Sequence, residues 1–101
     1  MPVKLKVSLK NQSHGYREYE YNQDIIVIGR DTKSDLQLQA EKSVISRKHT
    51  ELKFQDDGYK IKDLNSRNFT YLNDEKLEVG KEYTLTNGDN IGICDYKIQF
   101  F

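Results

Sequence analysis

The chain has no tryptophan and only one cysteine, one methionine and one proline among its 101 residues. A single cysteine, Cys94, excludes an internal disulfide framework and suits a reducing compartment. The two histidines, His14 and His49, and that lone thiol show no recognised metal-ligand spacing, so neither a metal nor a cofactor is expected. No stretch approaches the about 20 apolar residues that a membrane span needs; the longest aliphatic run is Ile25 to Ile28. The opening Met1-Pro2-Val3-Lys4 alternates at once and lacks the apolar core of a signal peptide. Neither sign of charge is in excess, with 16 Lys+Arg against 16 Asp+Glu. A protein that tracks a nucleic-acid backbone usually carries a basic excess or stripe, whereas here the lysines are scattered and only the arginines cluster. The expectation is a soluble, cytoplasmic domain that binds neither membrane nor nucleic acid.

What is present is a succession of short strands. Val3, Leu5, Val7 and Leu9 alternate with polar residues, the period of a half-buried strand. Arg17 to Tyr21 follows, then the uniform run Ile25 to Ile28, expected to be covered on both faces. Leu36 and Leu38, Thr50 to Phe54, Tyr59 and Ile61, Thr70 to Leu72, Tyr83 to Leu85, Ile91 to Ile93 and Tyr96 to Phe100 continue the series. Asp57-Gly58, Val79-Gly80 and Asn87-Gly88 are turn signals, in which glycine is expected to supply positive φ. Cys94 reads as a small buried residue of a late strand. Seven tyrosines suit half-buried sheets, with the ring packed and the hydroxyl wet. Many closely spaced strands argue for an all-β sandwich or barrel, read as one domain over residues 1–101 without linker or repeat. The one helical rival places Leu36, Ala40 and Val44 at a spacing of four.

Three of the four arginines stand in short polar stretches where strands end: Gly29-Arg30, Ser46-Arg47-Lys48-His49, and Asp63 through Asn73, which contains Arg67-Asn68-Phe69-Thr70. A guanidinium is a rigid, permanently charged fork of N–H donors that matches phosphate. Such donors on the loops of a β frame suggest capture of a phosphate on another molecule.

In order, Gly29-Arg30, Ser46-x-x-His49 and Asn68-x-Thr70-x-x-Asn73, separated by 16 and 22 positions, resemble the forkhead-associated (FHA) domain. The resemblance implies an eleven-stranded, antiparallel-type β-sandwich with ligand loops at one end. It also implies recognition of phosphothreonine in a partner protein or peptide, a mark that a Ser/Thr kinase writes and a phosphatase removes. By the resemblance Arg30 and Ser46 bind phosphate, with Arg47 and Arg67 as further phosphate contacts. Asn68 grips the ligand backbone, and Asn73 either does the same or shapes the next turn. Gly29, His49 and Thr70 support the loops, while residues on the loops around Val44, Ile45 and Asn65 are the expected wall of a pocket for the threonine γ-methyl. Such a module works as a monomer or as part of a larger protein.

Two residues depart from the pattern. Phe69 stands where the family has glycine, and Asp74 replaces the glycine that usually follows the last asparagine. Phe69 either forces a different backbone angle or lays a ring beside the peptide groove. These departures motivate an alternative, a phospho-independent scaffold on the same fold. Ser46, His49 and Asp63 are also the residue types of a hydrolase triad, but no nucleophile elbow or glycine-rich P-loop accompanies them, so no enzyme is expected.

Overall fold

The computed structural model describes residues 2–10, 15–39 and 44–101. Its eleven strands are β1 (Val3–Leu9), β2 (Arg17–Tyr21), β3 (Ile25–Gly29), β4 (Leu36–Gln37), β5 (Thr50–Gln55), β6 (Gly58–Asp63), β7 (Tyr71–Leu72), β8 (Glu75–Lys76), β9 (Glu82–Thr84), β10 (Asn90–Ile93) and β11 (Tyr96–Phe100). They form a six-stranded sheet ordered β2-β1-β11-β10-β7-β8 and a five-stranded sheet ordered β4-β3-β5-β6-β9. Strand pairing is antiparallel except for β4, which runs parallel to β3 with Ile28 opposite Leu36. No helix occurs among the described residues. The rival helix through Ala40 falls largely on residues 40–43, which with His14 lie outside the described residues.

The period-two pattern becomes the core directly. Leu5, Ile91, Ile93 and Ile98 of one sheet face Ile26, Ile28, Leu52 and Ile61 of the other, all fully buried. Each such side chain contributes about 1.5–3 kcal/mol of burial free energy. Because the sandwich has two layers, each strand has one inner face. That corrects the expectation for the aliphatic run: Ile26 and Ile28 are buried, but Ile25 is 46% exposed and Val27 only half-buried.

Two hairpins close through paired left-handed residues. Gln55 pairs with Gly58, so the β5–β6 turn is Asp56–Asp57, with φ of 54° and 68°. Gly58 itself belongs to the strand; the twist-matched two-residue turn needs positive φ at both central positions, one residue earlier than expected. Gly80 and Gly88 do take positive φ, at 76° and 92°. Leu72 pairs with Glu75 across Asn73–Asp74, at 50° and 69°, a second turn of this kind. Cys94 lies in the turn between β10 and β11, half-buried rather than within a strand, because Ile93 already pairs with Tyr96. Three tyrosine hydroxyls donate to backbone carbonyls: Tyr21 to Asp35, Tyr59 to Gln23 and Tyr96 to Gln39.

Candidate functional site

Gly29 ends β3, where its bare backbone lies against the loop that carries Ser46 and Arg47. A Cβ at this position would stand 2.0 Å from the Arg47 carbonyl oxygen and 3.0 Å from that of Ser46. The close approach lets the next two amides dock on the same loop. Arg30 N donates to Ser46 O at 3.0 Å and Asp31 N to Arg47 O at 3.2 Å.

Arg30 is exposed, and its Nε donates to Ile45 O at 3.1 Å. That bond fixes the plane of the guanidinium and leaves the four terminal N–H donors for a ligand. A surface ion pair with Asp31 or Asp35 does not form within 4.0 Å among the described residues. The Asp31 carboxylate accepts from Lys33 N at 3.1 Å and that of Asp35 from Val27 N at 2.8 Å. The Lys33 N–H, followed by the charges of Lys33, Arg47 and Lys48, holds the exposed Asp31 carboxyl below the usual carboxylate range.

Ser46 is the meeting point of the three stretches. Its carbonyl takes the Arg30 amide, its Oγ accepts from Arg67 N at 2.9 Å, and its own N–H donates to His49 Nδ1 at 3.2 Å. With Oγ accepting on one side, the hydroxyl proton is left to donate outward. The side chains of Arg47 and Arg67 are exposed beside it.

His49 is fully buried, and its Nε2–H donates to Phe69 O at 2.8 Å while Nδ1 accepts from Ser46. The neutral ring therefore ties the second loop to the third. Burial pushes its pKa below 6.5, against the opposing influences of the Phe69 carbonyl and Asp63. Ser46 Oγ, His49 and Asp63 form no relay: His49 bonds the Ser46 amide rather than its hydroxyl, and Asp63 bonds other partners.

Those partners form a buried polar network beneath the loops. The Asp63 carboxylate accepts from Ser66 N at 3.0 Å, from Ser66 Oγ, and from Thr70 Oγ1 at 2.6 Å. Because Thr70 donates to Asp63, the 2.7 Å contact between Thr50 and Thr70 hydroxyls has Thr50 as donor. Asp63, Thr50 and Thr70 are fully buried and Ser66 nearly so. Thr70 therefore braces the third loop from below. The sequence reading missed the roles of Asp63 and Ser66. The available signal was an aspartate at the end of a strand with turn-forming residues after it, positioned to cap the amide three residues on.

Asn68 is exposed at the loop edge, with Nδ2 donating to Val44 O at 2.8 Å. Its amide oxygen has no protein donor among the described residues. Asn73 is committed differently: its Nδ2 donates to Asp89 Oδ1 at 3.1 Å and its Oδ1 accepts from Asn90 N at 2.9 Å. Of the two tasks expected for Asn73, this geometry performs the turn-shaping one. Ile45 is 1% exposed and points into the core, so of the three residues expected to wall a γ-methyl pocket only Val44 and Asn65 reach the surface.

Phe69 takes φ of 66°, the left-handed conformation that glycine occupies freely. The ring packs half-buried under Lys76, whose Nζ lies 3.7 Å from its centroid. Asp74 likewise keeps a left-handed turn.

The sequence model of the FHA domain matches residues 26–94. The chain belongs to the FHA domain family. Solved FHA domains superpose over nearly its whole length. One comes from a structural and functional analysis of phosphothreonine-dependent FHA domain interactions. It is 27% identical with a TM-score of 0.78, covering 99% of this chain and 95% of the other. A second is the FhaA FHA domain complexed with the intracellular domain of Rv3910, at 27% identity and a TM-score of 0.78, covering 98% and 99%. A curated relative, the oxoglutarate dehydrogenase inhibitor of Corynebacterium jeikeium (strain K411), is 33% identical over 79 residues. That match covers 78% of this chain and 51% of the relative, so the chain spans about half of that protein's length. Among the described residues no helix is long and apolar enough to cross a membrane, and no group of three His, Cys, Asp or Glu could hold a metal ion.

Proposed function

We propose that residues 1–101 form one phosphothreonine-binding module that joins this protein to threonine-phosphorylated partners without catalysing a reaction. One observation carries this reading: the three polar stretches converge on Ser46, which receives Arg30 N at its carbonyl and Arg67 N at its hydroxyl. A phosphothreonine brings about −1.5 to −2 charges and three acceptor oxygens. Arg30 and Ser46 take the phosphate, Arg47 and Arg67 add charge at its rim, and Asn68 holds the neighbouring peptide backbone. His49, Thr70 and Gly29 keep the loops in place. Fold relatives solved with phosphothreonine-dependent or partner-bound FHA domains support the assignment.

In this reading the partner is marked by a Ser/Thr kinase, cleared by a phosphatase, and met in the cytoplasm. The phospho-independent alternative rests on Phe69 and Asp74, and both take positive φ, the region that glycine occupies freely. Calorimetry with a phosphothreonine peptide library and its unphosphorylated counterparts tests the proposal. Charge-assisted hydrogen bonds contribute about 1.5–3 kcal/mol each, so Arg30→Ala weakens binding roughly thirtyfold. Equal binding of both peptide forms, or no loss on Arg30→Ala, refutes it.

A further inference from the structure

Scattered along the sequence, five lysines are gathered by the fold onto one surface. Alternation turns Lys4 and Lys6 of β1 outward, with Lys10 next in the same phase. The registers Ser8↔Lys97, Gly92↔Lys97, Gly92↔Tyr71 and Tyr71↔Lys76 carry that outer face across β11, β10, β7 and β8. The paired strands put two carboxylates on this face, Glu18 and Glu20 of the edge strand β2. Glu18 is engaged by Lys4 at 3.7 Å and Lys6 at 3.9 Å. Lys10, Lys97 and Lys76 make no ion pair within 4.0 Å among the described residues, although Asp95 stands in the turn beside Lys10 and accepts its amide.

The β1–β11 end of the face holds a groove. It measures about 380 Å³ and is lined by Lys6, Ser8, Lys10, Tyr16, Lys97 and Gln99, and no carboxylate lines it. Beside the groove the Lys10 side chain lies over Gly92, with Nζ 3.3 Å from where a Cβ would stand. Lys6 shares Glu18 with Lys4, which leaves Lys10 and Lys97 in excess over the carboxylates here, and such an excess creates a potential that an anionic ligand relieves. At the far edge of the sheet, across Gly92 and Tyr71, Lys76 covers the Phe69 ring, one residue from Asn68, so this sheet face reaches the proposed phosphate loops.

We propose that this face is a second docking surface, which takes an acidic segment of the same polypeptide whose phosphothreonine occupies the loops; the proposal rests on the phosphothreonine reading. From β8 to β1 the sheet order crosses four strand spacings, about 19 Å at the usual inter-strand distance. An extended peptide covers that span in about six residues. The acidic segment therefore begins about six residues from the phosphothreonine. A peptide fits better than a nucleic acid because the face is rimmed by Glu18 and Glu20 and the whole chain has a formal net charge of zero.

The test compares three phosphothreonine peptides by calorimetry: one without a tail, and two with a four-glutamate block placed about six residues before or after the phosphothreonine. One tailed peptide is expected to bind about tenfold more tightly at low salt, with the gain nearly lost when salt screening is raised to about 0.5 M. Lys10→Glu with Lys97→Glu abolishes the gain and leaves the tail-less peptide unaffected. Equal affinities of all three peptides, or a gain that survives in the double variant, overturns the proposal. Should the tail-less phosphopeptide fail to bind, the phosphothreonine reading falls on its own, and the face is then judged with an unphosphorylated glutamate peptide. Amide shifts at Ser8, Gly92 and Lys97 support it; none overturns it. A single-stranded oligonucleotide that binds through Lys10 and Lys97 more tightly than the acidic peptide overturns the choice of occupant.

Discussion

Replacing Gly29 by alanine adds one methyl group at the point where β3 meets the Ser46–Arg47 loop. That Cβ would lie 2.0 Å from Arg47 O and 2.7 Å from Arg47 C, both backbone atoms. Ordinary contact begins at 3.4 Å, so the loop must retreat by about 1.4 Å. The retreat breaks or stretches the bonds Arg30 N→Ser46 O, Asp31 N→Arg47 O and Ser34 Oγ→Arg47 O. Each contributes about 0.5–1.5 kcal/mol, and overpacking a tight site costs about 1–3 kcal/mol in its own right. The expected loss is about 3 kcal/mol, a large part of the about 5–15 kcal/mol that holds a domain folded. For a chain of this length that lowers Tm by about 12–24 °C. Urea unfolding followed by tyrosine fluorescence measures it, with Gly58→Ala as the control. Gly58 has open space around its Cβ position and no positive φ, so its alanine variant melts within about 0.5 kcal/mol of the parent. A Gly29→Ala protein as stable as the Gly58→Ala control would refute the reasoning, because the loop would then have room that the close approach denies.

The remaining predictions concern the supports of the site. At Phe69 the usual order of stability reverses: with φ of 66°, Phe69→Gly is more stable than Phe69→Ala by about 1 kcal/mol in denaturant melts, since only glycine occupies this region without strain. Thr70→Val removes a donor to the buried Asp63 carboxylate and costs about 2–3 kcal/mol, whereas Thr50→Val removes only the outer, neutral bond and costs about 1 kcal/mol. Thermal unfolding of both variants checks the ranking, and equal losses would contradict the direction of the hydrogen-bond chain. Burial lowers the folded pKa of His49, so between that value and 6.5 the unfolded chain holds the extra proton. Stability therefore rises with pH across that window and is lost as acidification passes below it. The slope measured between about pH 7.5 and 5 is expected to be flatter in His49→Gln.

The strands were legible because a two-layer sandwich translates period-two hydrophobicity into burial with little room for exceptions. Where the sequence reading failed, information from a second chain segment was needed. Nothing in Glu75-Lys76 marks a strand; β8 exists because the Asn73–Asp74 turn folds it back onto β7. Ile25 reads as buried until the two-layer packing turns its side of β3 outward. The three polar stretches were legible as a family motif, but the roles of Asp63 and Ser66 were not, because a buried carboxylate announces itself only through the donors that gather on it. The lysines show the same limit most clearly. Their spacing in sequence carries no stripe, and only the antiparallel registers bring Lys10, Lys97 and Lys76 to one side of one sheet.

Phe69 shows why a motif read by residue type can misjudge a site. Glycine is used at a left-handed position because it costs nothing there, not because the position demands it. The conformation at 69 is imposed from outside the residue: His49 Nε2 holds its carbonyl, and Thr70, next in the chain, is held on Asp63. Those constraints are worth more than the about 1–2 kcal/mol that a side chain adds in this region. The ring recovers part of that cost against Lys76, where a cation over an aromatic face contributes about 0.5–2 kcal/mol. The loop thus keeps its shape and gains an aromatic wall with a cation beside Asn68, which glycine could not provide. A residue that looks like a broken motif holds the left-handed backbone of its loop and sets the chemistry along that loop's edge, where the outer face of the six-stranded sheet begins.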